Sequence, residues 1–197
     1  MKNYIVIIGY LFFSSITSSF GAVIIDFDSV QQGATVDSFY NGGTDSAGNA
    51  GQNLGVDFTP GDWITISGYG QTSQPNFSYS ASGAGQVNIA GGFTDVFSFT
   101  YGAFVDSIVT LFDGLNGTGL SLATLILPTN NPNSFSPASI SFAGVARSIT
   151  IQSGANQFGW DDMTMGLQNS VPEPTTIALM GLGFAGMGYM RRRKAQA

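Results

Sequence analysis

Short apolar runs with a two-residue period recur along the middle of the chain, separated by Gly, Asn and Pro. In the segment SITIQ the side chains of Ile149 and Ile151 point to one side of an extended chain, and those of Phe97 and Phe99 do the same in VFSFTY. One face of each such strand therefore faces a core and the other faces solvent. No 3.6-residue apolar period competes with this pattern.

The runs predict about a dozen short strands. They cover residues 23–28, 36–40, 54–59, 63–68, 76–80, 86–90, 95–101, 106–114, 122–127, 139–144, 147–153 and 158–165. Short strands at close spacing indicate an all-β fold, an antiparallel β-sandwich or jelly roll. The Asn116-Gly117 pair favours a hairpin between two of them, and the Gly-rich segment 41–53 predicts a long mobile loop.

The first 21 residues have the order of a secretory signal peptide. Lys2 precedes the apolar run Tyr4–Phe13, and small residues follow at Ser19–Ala22. As a helix this apolar run is about 15 Å long, half of the ~30 Å that a membrane span needs. Cleavage after Gly21 or Ala22 is therefore favoured over a retained anchor, and a buried first helix is the alternative.

The C-terminal segment Thr175–Met190 has no charged residue and is followed by four cations, Arg191–Lys194. As a helix it would be about 24 Å long, short for a span but workable if the cations snorkel into the headgroups. The positive-inside rule keeps those cations in the cytoplasm and places the middle of the chain outside. The GLGFAG sequence within this helix matches a dinucleotide-binding pattern, but no acidic residue follows at the required distance, so it is helix packing.

Composition narrows the classes of function. The chain has 197 residues, of which 43% are hydrophobic and 16 are Phe, too apolar for a disordered chain. It has no Cys and no His, which removes disulfides, zinc clusters, Cys nucleophiles and His general bases. Between residues 22 and 170 Arg147 is the one cation against eleven aspartates, a net charge near −10. Such a surface repels nucleic acid and anionic lipid.

The end of the chain resembles the PEP-CTERM sorting signal. A Pro-bracketed glutamate, a Gly-rich apolar helix and a terminal basic cluster occur in that order. The motif residues are Val171, Pro172, Glu173, Pro174, Arg191, Arg192, Arg193 and Lys194. The resemblance implies transit to the outer face of a Gram-negative inner membrane, recognition by an exosortase, and cleavage near the Pro-Glu-Pro motif. A plain single-pass anchor that keeps its helix is the alternative.

These signals divide the chain into five predicted segments. They are a signal peptide at 1–21, a β-sandwich domain at 22–167, a linker with the Pro-Glu-Pro motif at 168–174, a transmembrane helix at 175–190 and a basic cytoplasmic tail at 191–197. The expected partners are the exosortase, the inner membrane, transiently or permanently, and extracellular polysaccharide, with nucleic acid excluded.

Four aspartates form a candidate calcium site. Asp26 and Asp28 lie on the first predicted strand, and Asp161 and Asp162 lie on the last. The middle of the chain resembles the jelly-roll modules that commonly precede such tails, and carbohydrate-binding modules of this type share a structural Ca²⁺ between acids on the first and last strands. Ca²⁺ takes about six to eight oxygen ligands, which carboxylates and nearby carbonyls could supply. Solvated charge at a strand edge is the alternative.

Aromatic residues are candidates for sugar binding, because aromatic rings stack on pyranose faces. We select Trp63, Tyr69 and Tyr79, with Phe77 and Trp160 as further candidates and core packing as the alternative for each. A glycosidase needs two carboxylates. The domain has no Glu, and it has no His or Lys to tune a pKa, so we predict that the protein is not an enzyme.

The expected function is a structural or adhesive role within or upon the extracellular polysaccharide layer. This expectation rests on the C-terminal resemblance and on the acidic, Gly-rich composition. A carbohydrate-binding module of jelly-roll type is the alternative, and a polysaccharide hydrolase is the least favoured class. Saturable glycan binding that is lost on substitution of Trp63 or Tyr79 would favour the module.

Overall fold

The alternating segments form ten β-strands in the computed structural model of the protein, which describes residues 22–167. The strands are β1 (Ala22–Ile25), β2 (Val56–Phe58), β3 (Trp63–Ile66), β4 (Phe77–Ser80), β5 (Gln86–Ala103), β6 (Ser107–Phe112), β7 (Ser121–Leu127), β8 (Ser136–Ser141), β9 (Ala146–Gln152) and β10 (Phe158–Leu167). All pairings between these strands are antiparallel. The prediction of an all-β antiparallel domain is confirmed.

The predicted terminal segments lie outside the described residues. These are the signal helix at 1–21, the linker at 168–174, the transmembrane helix at 175–190 and the basic tail at 191–197. Among residues 22–167 no helix has the length and the apolar character needed to cross a membrane.

Two details of the strand prediction are wrong. Segments 86–90 and 95–101 belong to one strand, β5, because the Gly-Gly pair between them bends the strand without ending it. Gly92 has a φ of 74°, a conformation that other residues rarely adopt. Segment 36–40 forms turns instead of a strand. The Gly-rich loop at 41–53 closes on itself through a bridge between Asn41 and Asn53.

The long strand β5 belongs to two layers. Its N-terminal part pairs with β2 and β9, and its C-terminal part pairs with β10 and β8. The first layer therefore contains β3, β4, β10, the end of β5 and β8, with β1 beside β10. The second layer contains β2, the start of β5, β9, β6 and β7. The predicted hairpin at Asn116-Gly117 connects β6 to β7, and both residues have positive φ.

Aromatic side chains join the two layers in a single core. Trp63 on β3 and Trp160 on β10 are fully buried and stack with their ring centroids 4.5 Å apart and an interplanar angle of 11°. Phe58 of the second layer packs edge-on against Trp63 at 6.0 Å. Each aromatic pair of this kind adds about 0.5–1.5 kcal/mol beyond the area that it buries.

The first layer also has an outer face that is turned away from this core. Tyr79 of β4 is paired with Gly159 of β10, which is paired in turn with Gly102 of β5. Residues paired in register point to the same side of a sheet, and successive residues alternate. Because Trp160 points into the core, these three residues point outward.

Candidate functional site

The loop at residues 67–76 lies across the outer face of the first layer, and Asp161 of β10 holds it there. The Asp161 side chain is fully buried. Its Oδ2 accepts hydrogen bonds from the backbone N–H groups of Thr72 (3.0 Å) and Ser73 (2.8 Å). Its Oδ1 accepts from the Ser73 hydroxyl (3.0 Å) and from the N–H of Asp162 (2.8 Å). Four donors thus converge on one carboxylate, and such charge-assisted bonds are the stronger class.

Burial raises the pKa of Asp161 to about 6. The hydrogen bonds from Ser73 and from the Asp162 N–H lower this pKa, and the charge of Asp162 raises it, but burial is the largest of these influences. At neutral pH the carboxylate is still ionised. The ionised form is the one that accepts all four hydrogen bonds, so Asp161 anchors the loop under those conditions.

Two aspartates that follow β1 contact the same loop. Asp28 Oδ1 accepts a hydrogen bond of 2.8 Å from the N–H of Asn76. The Ser73 hydroxyl donates to the carbonyl oxygen of Asp26 at 3.3 Å, and Asp26 Oδ1 accepts from the N–H of Asp28 at 3.1 Å. Burial, followed by the charges of Asp26 and Asp162, raises the pKa of Asp28. Both ends of the domain therefore supply acceptors to residues 72–76.

The predicted calcium ligands lie near one another but are used for hydrogen bonding. Asp26, Asp28 and Asp161 each accept from backbone N–H groups. Asp162 sits in a bulge of β10 with a φ of 49° and lines a separate shallow groove beside Thr100. In the part of the chain that the structure describes, no three His, Cys, Asp or Glu side chains are grouped to hold a metal ion. The residues as placed do not fit a calcium site, and calcium binding stays a prediction.

A cleft of about 240 Å³ opens on the outer face beside the anchored loop, and we call it the outer cleft. Six aromatic residues line it, namely Tyr69, Phe77, Tyr79, Phe104, Phe135 and Phe158, and of these Phe158 has its ring in the main core. The other lining residues are Ile66, Gly102, Pro132, Asn156, Gln157 and Gly159. Side chains of this kind give apolar walls with a few neutral polar groups at the edge, which is the usual make-up of a small-molecule site.

The walls of the outer cleft are built from edge-to-face aromatic contacts. Phe77 packs against Tyr69 with centroids 5.6 Å apart, and against Phe135 with centroids 5.1 Å apart. Phe77 is thereby buried outside the main core. Tyr69 and Phe104 remain 42% and 52% exposed, so their rings are open to a ligand.

The floor of the outer cleft is the paired glycines of β10 and β5. A Cβ atom on Gly159 would lie 2.6 Å from Cε2 of Phe77, and one on Gly102 would lie 2.6 Å from Cε1 of Phe135. Real Cβ atoms do not approach other heavy atoms so closely. Glycine at these two positions therefore allows the two phenyl rings to lie directly on the sheet.

Two loops that carry the cleft walls are joined to each other at Gly70. Its N–H donates to the carbonyl oxygen of Pro132 at 3.0 Å, and its own carbonyl oxygen accepts from the N–H of Phe135 at 2.9 Å. Within the first loop the N–H of Tyr69 donates to Oε1 of Gln71 at 3.0 Å. Tyr69 and Phe135 are thus held in position by backbone hydrogen bonds on either side of the cleft.

The structure places some of the predicted sugar-binding aromatic residues in the outer cleft and the others in the core. Tyr69 and Tyr79 line the outer cleft together, and so does Phe77. Trp63 does not, because both faces of its ring are in the core and its Nε1–H donates to the carbonyl oxygen of Gln86 at 3.2 Å. Trp160, stacked on Trp63, is equally inaccessible.

Sequence reasoning missed Phe104 and Phe135, which complete the cleft. Phe104 directly follows a strand, and Phe135 lies in a segment rich in Asn and Pro that predicts a loop. No local pattern distinguishes these residues from other exposed or core Phe residues. Their proximity to Tyr69 depends on which loops the fold brings together.

The comparison with known families identifies the end of the chain. The PEP-CTERM protein-sorting motif matches residues 170–194. The resemblance seen in the sequence is confirmed at these positions, which lie outside the described residues. Among curated proteins no match to the chain is found.

Solved structures similar to this chain include carbohydrate-binding modules. A family 6 module studied for its binding sub-sites has a TM-score of 0.42 and 15% identity, over 56% of this chain and 86% of that chain. A module from Clostridium stercorarium, in complex with cellobiose, has a TM-score of 0.42 and 9% identity over the same shares. A family 29 module from Piromyces equi has a TM-score of 0.43 and 8% identity, over 75% of this chain and 91% of that chain. These TM-scores are too low to indicate a ligand for this chain.

Proposed function

Because the chain carries the PEP-CTERM protein-sorting motif at residues 170–194, we propose that an exosortase sorts it to the cell surface or the extracellular polysaccharide matrix of a Gram-negative bacterium. The motif match is the observation that carries this proposal. In the proposed route the signal peptide at 1–21 directs export, the helix at 175–190 holds the protein in the inner membrane, and the tail at 191–197 stays in the cytoplasm. The domain at 22–167 then faces the outside.

The experiment is the intact mass of the protein released from its native host. Sorting by cleavage predicts a mass that lacks the residues beyond the Pro-Glu-Pro motif at 172–174. A variant with Glu173→Ala should keep its tail and accumulate in the membrane fraction, while the matched change Gln168→Ala, outside the motif, should leave release unchanged. An intact tail in the membrane fraction for the unaltered protein would instead support plain anchoring.

In the matrix the working role that we propose is structural or adhesive rather than catalytic. Residues 22–167 contain many hydrogen-bond acceptors, eleven aspartates among them, but no His or Cys. Arg147 is the one cation in this range. Its most buried carboxylate, Asp161, already receives four hydrogen bonds that hold a loop. Turnover on a panel of polysaccharides that disappears when an aspartate becomes Asn would contradict the proposal.

Carbohydrate binding is the second candidate function, and the outer cleft favours it. Tyr69 and Tyr79, selected from the sequence for sugar stacking, line one cleft on the exposed face of the sheet. Glycan-array binding should weaken about tenfold with Tyr79→Ala, which corresponds to the loss of one aromatic contact. Ile126→Ala removes an apolar side chain that is 70% exposed on β7, outside the cleft, and should bind like the unaltered protein.

A further inference from the structure

The size of the outer cleft matches a small ring. Its volume of about 240 Å³ lies below the ~300–1,000 Å³ typical of sites for drug-sized ligands. The exposed rings of Tyr69 and Phe104 line the cleft together with the Phe77 and Phe135 rings that cover the two glycines, so a flat apolar face can pack against these rings. A single pyranose unit has such a face, whereas several sugar units would extend beyond the walls.

The polar groups at the cleft are neutral donors and acceptors. Among residues 22–167, the hydroxyl groups of Tyr69 and Tyr79 and the side-chain amide of Asn156 make no hydrogen bond within the domain. Gln157 adds a second amide, whose Nε2 donates weakly at 3.3 Å to the carbonyl oxygen of Asn156. Hydroxyl and amide groups form hydrogen bonds with sugar hydroxyls. Because these groups are neutral, they do not compensate the negative charge of a carboxylate or sulfate on a ligand.

The charges around the cleft disfavour an anionic ligand. Of the twelve lining residues, all among residues 22–167, none is charged. Asp161 lies two residues from Gly159 on the same face of β10, and it is ionised at neutral pH. The cation Arg147 is on β9 in the other layer and does not line the cleft. An anion placed in the cleft would therefore lose hydration without gaining a cationic partner.

We propose that the outer cleft binds a single uncharged pyranose unit of a polysaccharide and discriminates against uronate or sulfated units. The inference rests on the proposed carbohydrate-binding function and adds the class of sugar. A matrix protein with this preference would attach to neutral polysaccharide chains and leave the acidic chains of the same matrix unbound.

The experiment compares pairs of ligands that differ only at C6, where the neutral sugar has a hydroxymethyl group and the uronate has a carboxylate. Isothermal titration of the full chain uses β-1,4-linked oligomers of mannose and of mannuronic acid, and the corresponding glucose and glucuronic acid oligomers. We expect a neutral oligomer to bind at least about tenfold more tightly than its uronate counterpart. Its affinity should be unchanged between about 0.02 and about 0.5 M NaCl, because no ion pair forms.

The outcomes separate the two levels of the proposal. Equal or tighter binding of a uronate oligomer would overturn the sugar-class inference and leave carbohydrate binding intact. Absence of binding to every oligomer would overturn the carbohydrate-binding function itself. Binding that persists unchanged in Tyr79→Ala would place the sugar elsewhere and overturn the inference as well.

A change of charge at the rim gives an independent test. Gln157→Lys places a cation beside the cleft, and we expect it to raise the affinity for a uronate oligomer about tenfold. Gln152→Lys makes the same change on β9, at an exposed position outside the cleft, and controls for the net charge of the domain. An equal gain in both variants would show that the charge of the whole domain, and not the cleft, sets the preference.

Discussion

The backbone N–H of Ser73 donates a hydrogen bond of 2.8 Å to the buried carboxylate of Asp161. The two residues are far apart in sequence, and the bond fixes the loop at 67–76 on the outer face of the first layer. Because that loop carries Tyr69, one aspartate outside the cleft determines where a wall of the cleft lies.

Removal of this anchor should loosen the cleft. Asp161→Ala leaves the N–H groups of Thr72 and Ser73 without their acceptor, and a hydrogen bond to a charged group contributes about 1.5–3 kcal/mol. We expect the free energy of unfolding to fall by about that amount in urea titration. Sugar affinity should fall in parallel, although residue 161 is not part of the cleft lining.

Asp95→Asn is the matched control for the loss of a carboxylate. Asp95 is exposed and has a φ of 71°, which Asn tolerates well. The substitution Asp95→Asn should change the free energy of unfolding by less than about 0.5 kcal/mol. Equal losses in Asp95→Asn and Asp161→Ala would argue that net charge, rather than the loop anchor, is responsible.

Stability should fall as the pH rises through the pKa of Asp161. In the folded state this pKa is raised to about 6 from 3.8, so the folded state binds the proton more tightly than the unfolded state. The stabilisation that follows from the raised pKa of Asp161 is fully present below 3.8, the pKa of the unfolded state. It is lost as the pH rises through about 6. Between about pH 4.5 and about pH 7 the loss is about 2 kcal/mol.

Thermal melting across this pH range checks the linkage. Asp28 and Asp57, whose pKa values burial also raises, contribute in the same direction. Asp45 contributes in the opposite direction, because hydrogen bonds from Asn49, Gln31 and Ala47 lower its pKa against the influence of burial. Asp161→Asn should flatten the dependence, and a midpoint that rises with pH in the unaltered protein would contradict the assignment.

Glycine at position 159 should be required for the cleft floor. Gly159→Ala places a Cβ against the Phe77 ring, and we expect a loss of about 1–3 kcal/mol in unfolding experiments together with weaker sugar binding. Gly166→Ala makes the same substitution on the same strand, where the nearest atom to a Cβ is 3.8 Å away. That variant should be as stable as the unaltered protein. A similar loss in both would point to β10 backbone flexibility instead.

Chelation provides the test of calcium binding. The carboxylates of Asp26, Asp28 and Asp161 accept protein hydrogen bonds, so we expect EDTA to leave the melting midpoint unchanged. A ligand that binds only the native state must raise its stability. A midpoint that rises with added CaCl₂ and falls with EDTA would establish the site predicted from the sequence.

Much of the fold could be predicted because strand formation depends on local alternation. Ile149 and Ile151 are buried on one face of β9, as the period of two requires. The predicted break at residues 91–94 was wrong, since a Gly-Gly pair is locally compatible with either a turn or a bend in a long strand. Only the pairing of β5 with strands of both layers decides between them.

The candidate site could be predicted only in part, for a similar reason. Tyr79 and Trp63 are both aromatic residues on short alternating strands, yet Tyr79 faces outward and Trp63 lies in the core. The sequence pattern shows that a strand has two faces, but the neighbouring layer determines which of them is covered. The sequence indicated an interaction among acids of the first and last strands, but it did not show that the loop at 67–76 donates hydrogen bonds to Asp28 and Asp161.

The sequence by itself determined the all-β class, the approximate positions of most strands and the sorting motif at 170–194. These are properties of contiguous residues, since a strand is an alternation and a sorting motif is a linear signal. The tertiary structure alone decided that Asp161 anchors a loop and that Tyr69, Phe104 and Phe135 share a cleft. Those contacts join residues distant in the chain, and they exist only once the core has fixed the two layers and directed the remaining side chains outward.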